Sequence, residues 1–440
     1  MPDPAIIGLT LRWGQKINHM QQNIDSQLFR DILYTPLQAA VHRSKCQRLC
    51  RELPDQQWLQ MGIEWVLGLH RSGRSFLQHW AMTADYPAVQ VTAFFATLKS
   101  RRRLSLVEEI NAHVAHNMPA HPHSQIDSLE DLSGIDVYAG DGHYHGASTH
   151  EKPIKGKRRA VGHFYTLNYR IRAMTHLTAA DLQDGRKKKE HDLSALKRFD
   201  AAQLRQGAGT GRQVLYVWDR AVIDFRFWDK CKQTCGVYFL TRTKESLKIT
   251  QYGSLDFDPE DPVNAGVLKD QLASSETSGK TFRYIEYQCP VSGTIYAFIT
   301  NHMQVRPGVL AWLYLRRWDI EKTYDTFKNK LDETKAWASS QTSKSVQAQF
   351  LCLAHNLTVI LETTVGVEDV KETQRRHKRD KAARANCEKQ GRAFSSLLFQ
   401  NPSERSQLCL KFIRWLRHQL SANQLIATAI ASLKVIYAQL

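Results

Sequence analysis

Apolar and polar positions change period several times along the chain, and each change predicts a different element. Residues 15–110 mix the two without strand alternation, as in 56–69 and 88–98, and predict helices. The stretch 113–123 is rich in His, Pro and Asn and reads as a linker. From Ile135 the texture changes, and Ile135, Val137, Tyr138 and Ala139 predict a strand that ends at Asp141. Residues 160–172 suit one or two strands, 184–189 a turn with a basic run, and 192–206 a helix. Residues 213–219 are a short apolar run between Gly211 and a carboxylate, as expected of a buried strand. A helix over 220–232 and another buried strand over 236–242 follow. Residues 246–300 alternate apolar and polar positions with frequent Gly, Pro, Asn and Asp, which predicts a small antiparallel β module. Helices are predicted over 307–331 and 344–363. The tail opens with a basic, polar segment, 371–392, and continues as amphipathic helical stretches, 408–420 and 424–440.

Composition narrows the class. The 440 residues suffice for two or three domains, and 42% hydrophobic with 23% charged residues is ordinary for a globular chain. Sixty Lys plus Arg against 43 Asp plus Glu give a net charge of +17. Such a field attracts polyanions, of which nucleic acid is the commonest. Basic residues punctuate the helical region at Arg43, Lys45, Arg48, Arg51, Arg71, Arg74 and 101–103. No apolar run approaches the roughly 18–20 residues of a membrane span. The first residues lack a basic region followed by a long apolar core, so no signal peptide is expected. The eight Cys are scattered, and the close pairs Cys46/Cys50 and Cys231/Cys235 lack a matching CxxC or His pair. Reduced thiols in a cytosolic protein are expected.

The candidate chemistry lies in 314–328. No Gly or Pro interrupts this stretch, so one continuous helix is predicted. With Tyr314 at zero, Arg317 falls at about 300°, Glu321 at about 340° and Lys328 at about 320° on the helical wheel. One stripe thus carries a phenol, a guanidinium, a carboxylate and an ammonium, with Leu315 and Trp318 to one side as anchors. The same spacing also suits a solvated face with ion pairs such as Arg317 to Glu321. Two further carboxylates, Asp141 and Asp219, follow predicted strands that a mostly parallel arrangement sets side by side. Three carboxylates around one point raise each other's pKa, and hard divalent cations, Mg²⁺ or Mn²⁺, relieve that. Asp also ends many strands as a turn former, so spacing alone leaves both readings open.

Taken together, these residues resemble a family. Tyr314, Arg317, Glu321 and Lys328 match the YREK motif of DDE insertion-sequence transposases, the "IS four" group of the cut-and-paste type. Asp141, Gly142 and His143 match the first-aspartate strand end, and Val217, Trp218, Asp219, Arg220 and Ala221 the second-aspartate motif. The stretch between Asp219 and Glu321 fits members with a β-rich insertion before the last catalytic helix. The resemblance covers residues 135–363.

The resemblance implies an α/β protein: an RNase H-like catalytic core with an antiparallel β insertion, flanked by N- and C-terminal helical regions. The expected division is a DNA-binding region over 1–125, a catalytic domain over 126–365 with its insertion at about 244–302, and a C-terminal region over 366–440 that pairs two subunits. Asp141, Asp219 and Glu321 would be catalytic and hold Mg²⁺, with Mn²⁺ as substitute. Tyr314, Arg317 and Lys328 would grip phosphates, which positions a strand without reading its sequence. In the hairpin-forming branch an aromatic residue stacks on a flipped base. Tyr296 matches that position through its spacing to Thr300, where the family carries Trp; Trp312 is a second candidate. Arg242 and Lys244 fall where relatives hold the DNA backbone, and His143 and Arg220 sit beside the carboxylates. The expected partners are double-stranded DNA, at transposon ends and target, and a second copy of the chain. The alternative is a catalytically idle, transposase-derived DNA-binding regulator.

Overall fold

The computed structural model describes residues 26–391, together with Phe394 and residues 413–416. Excepted are residues 47, 49, 51, 69, 71, 84–88, 122–124, 154–155, 181–189, 290–291, 332 and 366–369. The predicted turn at 184–189 and most of the tail stretches 408–420 and 424–440 lie outside the described residues.

The described chain opens with helices α1 (Ser26–Arg43), α2 (Asp55–Leu67), α3 (Gly73–Thr83), α4 (Val91–Thr97) and α5 (Arg101–His116). Ser100 caps α5 by accepting from the Arg103 N–H at 3.3 Å, so the helix starts at the arginines and runs into the expected linker as far as His116. Three strands follow, β1 (Ile135–His145), β2 (Val161–Asn168) and β3 (Met174–Ala179). The predicted helix over 192–206 is two short ones, α6 (Asp192–Leu196) and α7 (Ala201–Leu204), the second started by a capping box of Asp200 and Gln203. Then come β4 (Gln213–Val217), α8 (Phe225–Cys235) and β5 (Val237–Arg242). Asp224 caps the start of α8, and Gly236, at φ 62°, ends it and turns the chain straight into β5.

Four strands, β6 (Ile249–Ser254), β7 (Val267–Ser275), β8 (Thr281–Gln288) and β9 (Ile295–Thr300), form an antiparallel meander before helices α9 (Pro307–Leu315), α10 (Trp318–Lys330), α11 (Gln341–Val365) and α12 (Val370–Lys389). Among the described residues the nine strands make one mixed sheet in the order β3-β2-β1-β4-β5-β9-β8-β7-β6. β1, β4 and β5 are parallel, β2 is antiparallel to both its neighbours, and β9 joins β5 antiparallel. The meander therefore extends the core sheet. Arg283 on β8 pairs with Asp270 on β7 and donates to the Val305 carbonyl at 2.6 Å, tying the meander to the entry of α9.

The core strands are covered on both faces, which is why β4 and β5 read as unbroken apolar runs. Leu215 and Val217 pack with Val137, Ala139, α9, α10 and α11 on one face. Val214, Tyr216 and Trp218 pack with Phe239 and Trp228 of α8 on the other. Gly140 is required at its position because Trp218 lies against it, and a Cβ there would come within 1.8 Å of the indole ring. α11 packs against α2, α5 and β3. Asn356 on α11 bonds both the Met174 N–H and its carbonyl, covering the free edge of β3. Among the described residues no helix is long and apolar enough to cross a membrane.

Candidate active site

Strand register brings the two aspartates together. Ala139 on β1 stands opposite Val217 on β4, the last pair of that ladder; Asp141, two residues on in β1, and Asp219, two residues past Val217, lie close enough for their charges to interact. The two-residue period carries both to the face that holds Ala139, Val217 and helix α10. β1 does not end at Asp141. It runs on to His145, pairing with β2 through Asp141 opposite Tyr165 and His143 opposite His163. The backbone N–H groups of Gly142 (2.8 Å) and Ala221 (2.6 Å) each donate to the adjacent aspartate and fix its orientation.

The stretch 314–328 is not one helix. α9 stops at Leu315 and α10 starts at Trp318, with Arg316 and Arg317 in a tight turn. The hydrogen-bond ladder shortens there: Arg317 N–H to the Tyr314 carbonyl at 3.0 Å, Asp319 to Arg316 at 2.9 Å, and Ile320 to Arg317 at 3.3 Å. The Arg316 guanidinium pairs with Asp319 at 2.8 Å and lies over the rings of Tyr169 (5.4 Å) and Trp312 (5.0 Å). Trp312 is thus a buried packing residue. Trp318 is the reverse of the expected anchor, 55% exposed beside Arg317.

Arg317 is the hub of the site. Its guanidinium bonds Glu321 Oε1 at 2.6 Å and reaches Asp141 Oδ2 at 3.5 Å, so one cation bridges two of the three expected carboxylates. Its Nε is buried without a hydrogen-bond partner. Tyr314 feels Arg317, Asp219 and Arg242 electrostatically, and its ring meets Phe298 of β9 at 5.0 Å. Arg242 lies over the Tyr296 ring at 5.0 Å. Tyr296 and Arg242 therefore adjoin the carboxylates through Tyr314. Lys328 is exposed on the same face of α10 as Glu321, seven residues on. Arg220 is exposed and Lys244 half-buried, each near its strand end. His143 points inward: it is buried, bonds Glu333 at 2.6 Å and stacks on Tyr324 at 4.6 Å. The Tyr324 hydroxyl donates to the Asp141 carbonyl at 2.8 Å, which ties α10 to β1.

Sequence reasoning missed Asp192. The indole N–H of Trp218 approaches its Oδ2 at 3.3 Å, and its charge acts on both Asp141 and Asp219. Only the folding of α6 over Gly142 and Trp218 brings it in, and no motif marks it. The Asp141 carboxyl is pushed up to about 7, first by burial and then by Asp192 and Asp219, against the opposing pull of Arg317 and the Gly142 N–H. Carboxylates in excess around one guanidinium are the donor chemistry that suits a hard divalent cation. Among the described residues no three His, Cys, Asp or Glu side chains are grouped so as to hold a metal ion; Arg317 stands between Asp141 and Glu321.

The basic cluster at 101–103 also differs from expectation. Arg102 pairs with Asp55 at 2.7 Å, and Arg103 is buried, bonding the Leu53 carbonyl at 2.7 Å and lying over Trp58. Both hold α5 to α2, and Arg101 alone of the three is exposed. Comparison with protein-family models and with curated protein sequences finds no match for this chain.

Proposed function

We propose that this chain is a DDE-type DNA transposase with an RNase H-like core, which cleaves DNA at the ends of a mobile element and joins them to target DNA. The observation that carries the reading is Asp141 on β1 with Asp219 just past the end of the adjacent parallel β4, close enough for their charges to interact, and Glu321 of α10 linked to Asp141 through Arg317. The strand order β3-β2-β1-β4-β5, with β2 alone antiparallel among the five, supports that core. Mg²⁺ or Mn²⁺ held by Asp141, Asp219 and Glu321 would supply charge neutralisation and water activation at a phosphodiester.

The chain's own groups account for the rest. Tyr314, Arg317 and Lys328 present a hydroxyl and two cations to phosphate oxygens along one edge. Arg220, Arg242 and Lys244 continue the basic rim along the backbone. Tyr296, already stacked under Arg242, offers a ring to a base turned out of the duplex. In this reading hydrolysis of one strand frees a 3′-OH, which attacks the opposite strand's phosphodiester and expels the 3′-OH of the flanking DNA to give a hairpin. Water then hydrolyses the hairpin bond, and the regenerated 3′-OH attacks a target phosphodiester, expelling the target's 3′-OH. The helical region of residues 1–125 recognises the ends, and the C-terminal region joins two copies.

The test is cleavage of DNA carrying the element's own terminal repeats, with Mg²⁺, by wild type and Glu321→Gln. A loss of about 10³-fold or more is expected of the variant. Persistent cutting by the variant removes Glu321 from its role. Wild type that binds these ends without cutting them is the catalytically idle regulator. Nicking without a hairpin removes the case for Tyr296.

A further inference from the structure

The 20 residues of α12 carry eight Lys and Arg against three Asp and Glu. Among the described side chains of α12 only Cys387 is buried; Asp380, Ala383 and Asn386 are half-buried, and the others are exposed. On a wheel of about 100° per residue with His377 at zero, those four fall between about 180° and 300°. Arg384 (about 340°), His377, Lys381 (about 40°), Lys378 (about 100°) and Lys389 (about 120°) lie opposite, all exposed, with Glu388 the single carboxylate among them. α12 therefore keeps one narrow face against the protein and turns a basic stripe about 18 Å long to the outside.

Its position relates this stripe to the candidate site. Cys387 lies close enough to Tyr287 of β8 to act on its hydroxyl. Tyr287 is the direct cross-strand partner of Tyr296 on β9, and Tyr296 lies under Arg242. Directly opposed residues share a sheet face. The inward face of α12 thus packs beside the strand next to the one that carries Tyr296.

We propose that the exposed stripe His377, Lys378, Lys381, Arg384 and Lys389 of α12 is a second, sequence-independent docking surface for the backbone of double-stranded DNA, on a helix that packs beside the candidate active site. The inference rests on the transposase reading and gives the start of the C-terminal region a DNA-holding role in place of a purely subunit-pairing one. Charge complementarity selects the partner: a row of cations along one helix meets a polyanion with one charge per roughly 1.7 Å of axis, and the one described aromatic ring against the stripe, that of Phe394 under Arg384 at 4.7 Å, is half-buried.

The test uses the full chain and a fluorescent mixed-sequence duplex, with binding followed by anisotropy across a potassium chloride series. The triple variant Lys378→Gln, Lys381→Gln, Arg384→Gln is expected to lower the slope of log K against log salt by roughly 2 to 3, at about 0.9 for each phosphate no longer neutralised. Glu388→Gln, which leaves every cation in place, is expected to tighten binding a few-fold, so the proposal stays testable if the triple variant fails to fold. An unchanged slope in the triple variant, or an unchanged affinity in Glu388→Gln, overturns the α12 surface and leaves the transposase reading intact. Wild type with no affinity for duplex DNA sinks both. A slope change on polyglutamate or single-stranded RNA with none on the duplex overturns DNA as the occupant.

Discussion

Asp55 in the N-terminal helices and Asp141 on the central strand β1 each face arginine from within the protein, yet they are shifted in opposite directions. Burial pulls the Asp55 carboxyl up, but Arg102, the Arg48 N–H and Arg103 outweigh it and hold it below the usual range. Both Asp55 oxygens are met by one guanidinium, at 2.7 and 2.8 Å. Asp141 has 19% of its side chain exposed and meets one arginine at 3.5 Å, shared with Glu321, while Asp192 and Asp219 crowd it. Its carboxyl sits at about 7. A closed pair serves stability. An open excess of carboxylate stores electrostatic strain that an added cation relieves.

The largest effect expected from this contrast is a change of sign. Asp55→Asn leaves Arg103 buried without its charge partner and is expected to cost about 3–5 kcal/mol in urea unfolding. Asp141→Asn removes a like charge and is expected to leave stability the same or higher above pH 7 in chelator, while ending DNA cleavage. Equal destabilisation by both variants would erase the distinction between a structural and a functional carboxylate.

A smaller effect is a pH dependence, and its sign follows from the same shifts. Between about pH 4 and 7 the folded chain keeps the Asp141 proton that the unfolded chain has released. Stability therefore falls as pH rises through that window, by roughly 3 kcal/mol from this group. Asp55 contributes stability above its unfolded value that is lost as pH falls through its lowered folded value. Unfolding curves from pH 4 to 8 in chelator are expected to show a steeper decline in wild type than in Asp141→Asn. Parallel curves would mean that Asp141 ionises freely.

What the sequence made legible divides along the same line. β4 and β5 were readable because burial on both faces forces short apolar runs, ended by Asp219 and started after Gly236. The strand is expected to end at Asp141, and residues 142–145 continue it through pairing with β2, with His143 bonded to Glu333. β3 is short and half polar, and its edge is satisfied by Asn356, 182 residues away. The break at Arg316 has no Gly or Pro to mark it; it coincides with Arg316 lying over Tyr169, just past β2, and Trp312 of α9 and pairing with Asp319. The carboxylates of the motif were readable as residues. Asp192 and the bridging geometry of Arg317 depend on how distant segments fold together, which no local pattern encodes.

The finest test concerns Arg317, whose guanidinium lies between the oxygens that a divalent cation would take. Arg317→Gln keeps a polar, helix-compatible side chain and removes the charge that bridges Asp141 and Glu321. Without DNA, terbium luminescence or calorimetry with Mn²⁺ is expected to show metal affinity rising roughly tenfold, about 1.4 kcal/mol, because the ion no longer displaces a resident cation. The measurement belongs at pH 8.5, where the Asp141 carboxyl has lost its proton and the loss of arginine cannot act by holding that proton in place. DNA cleavage is expected to fall in the same variant, since the phosphate loses its guanidinium. Opposite signs for metal binding and cleavage are what a counter-ion that hands over to phosphate requires. An affinity that is unchanged or weaker would make Arg317 a simple phosphate ligand and leave the open carboxylates beside β1 and β4 without a resident cation of their own.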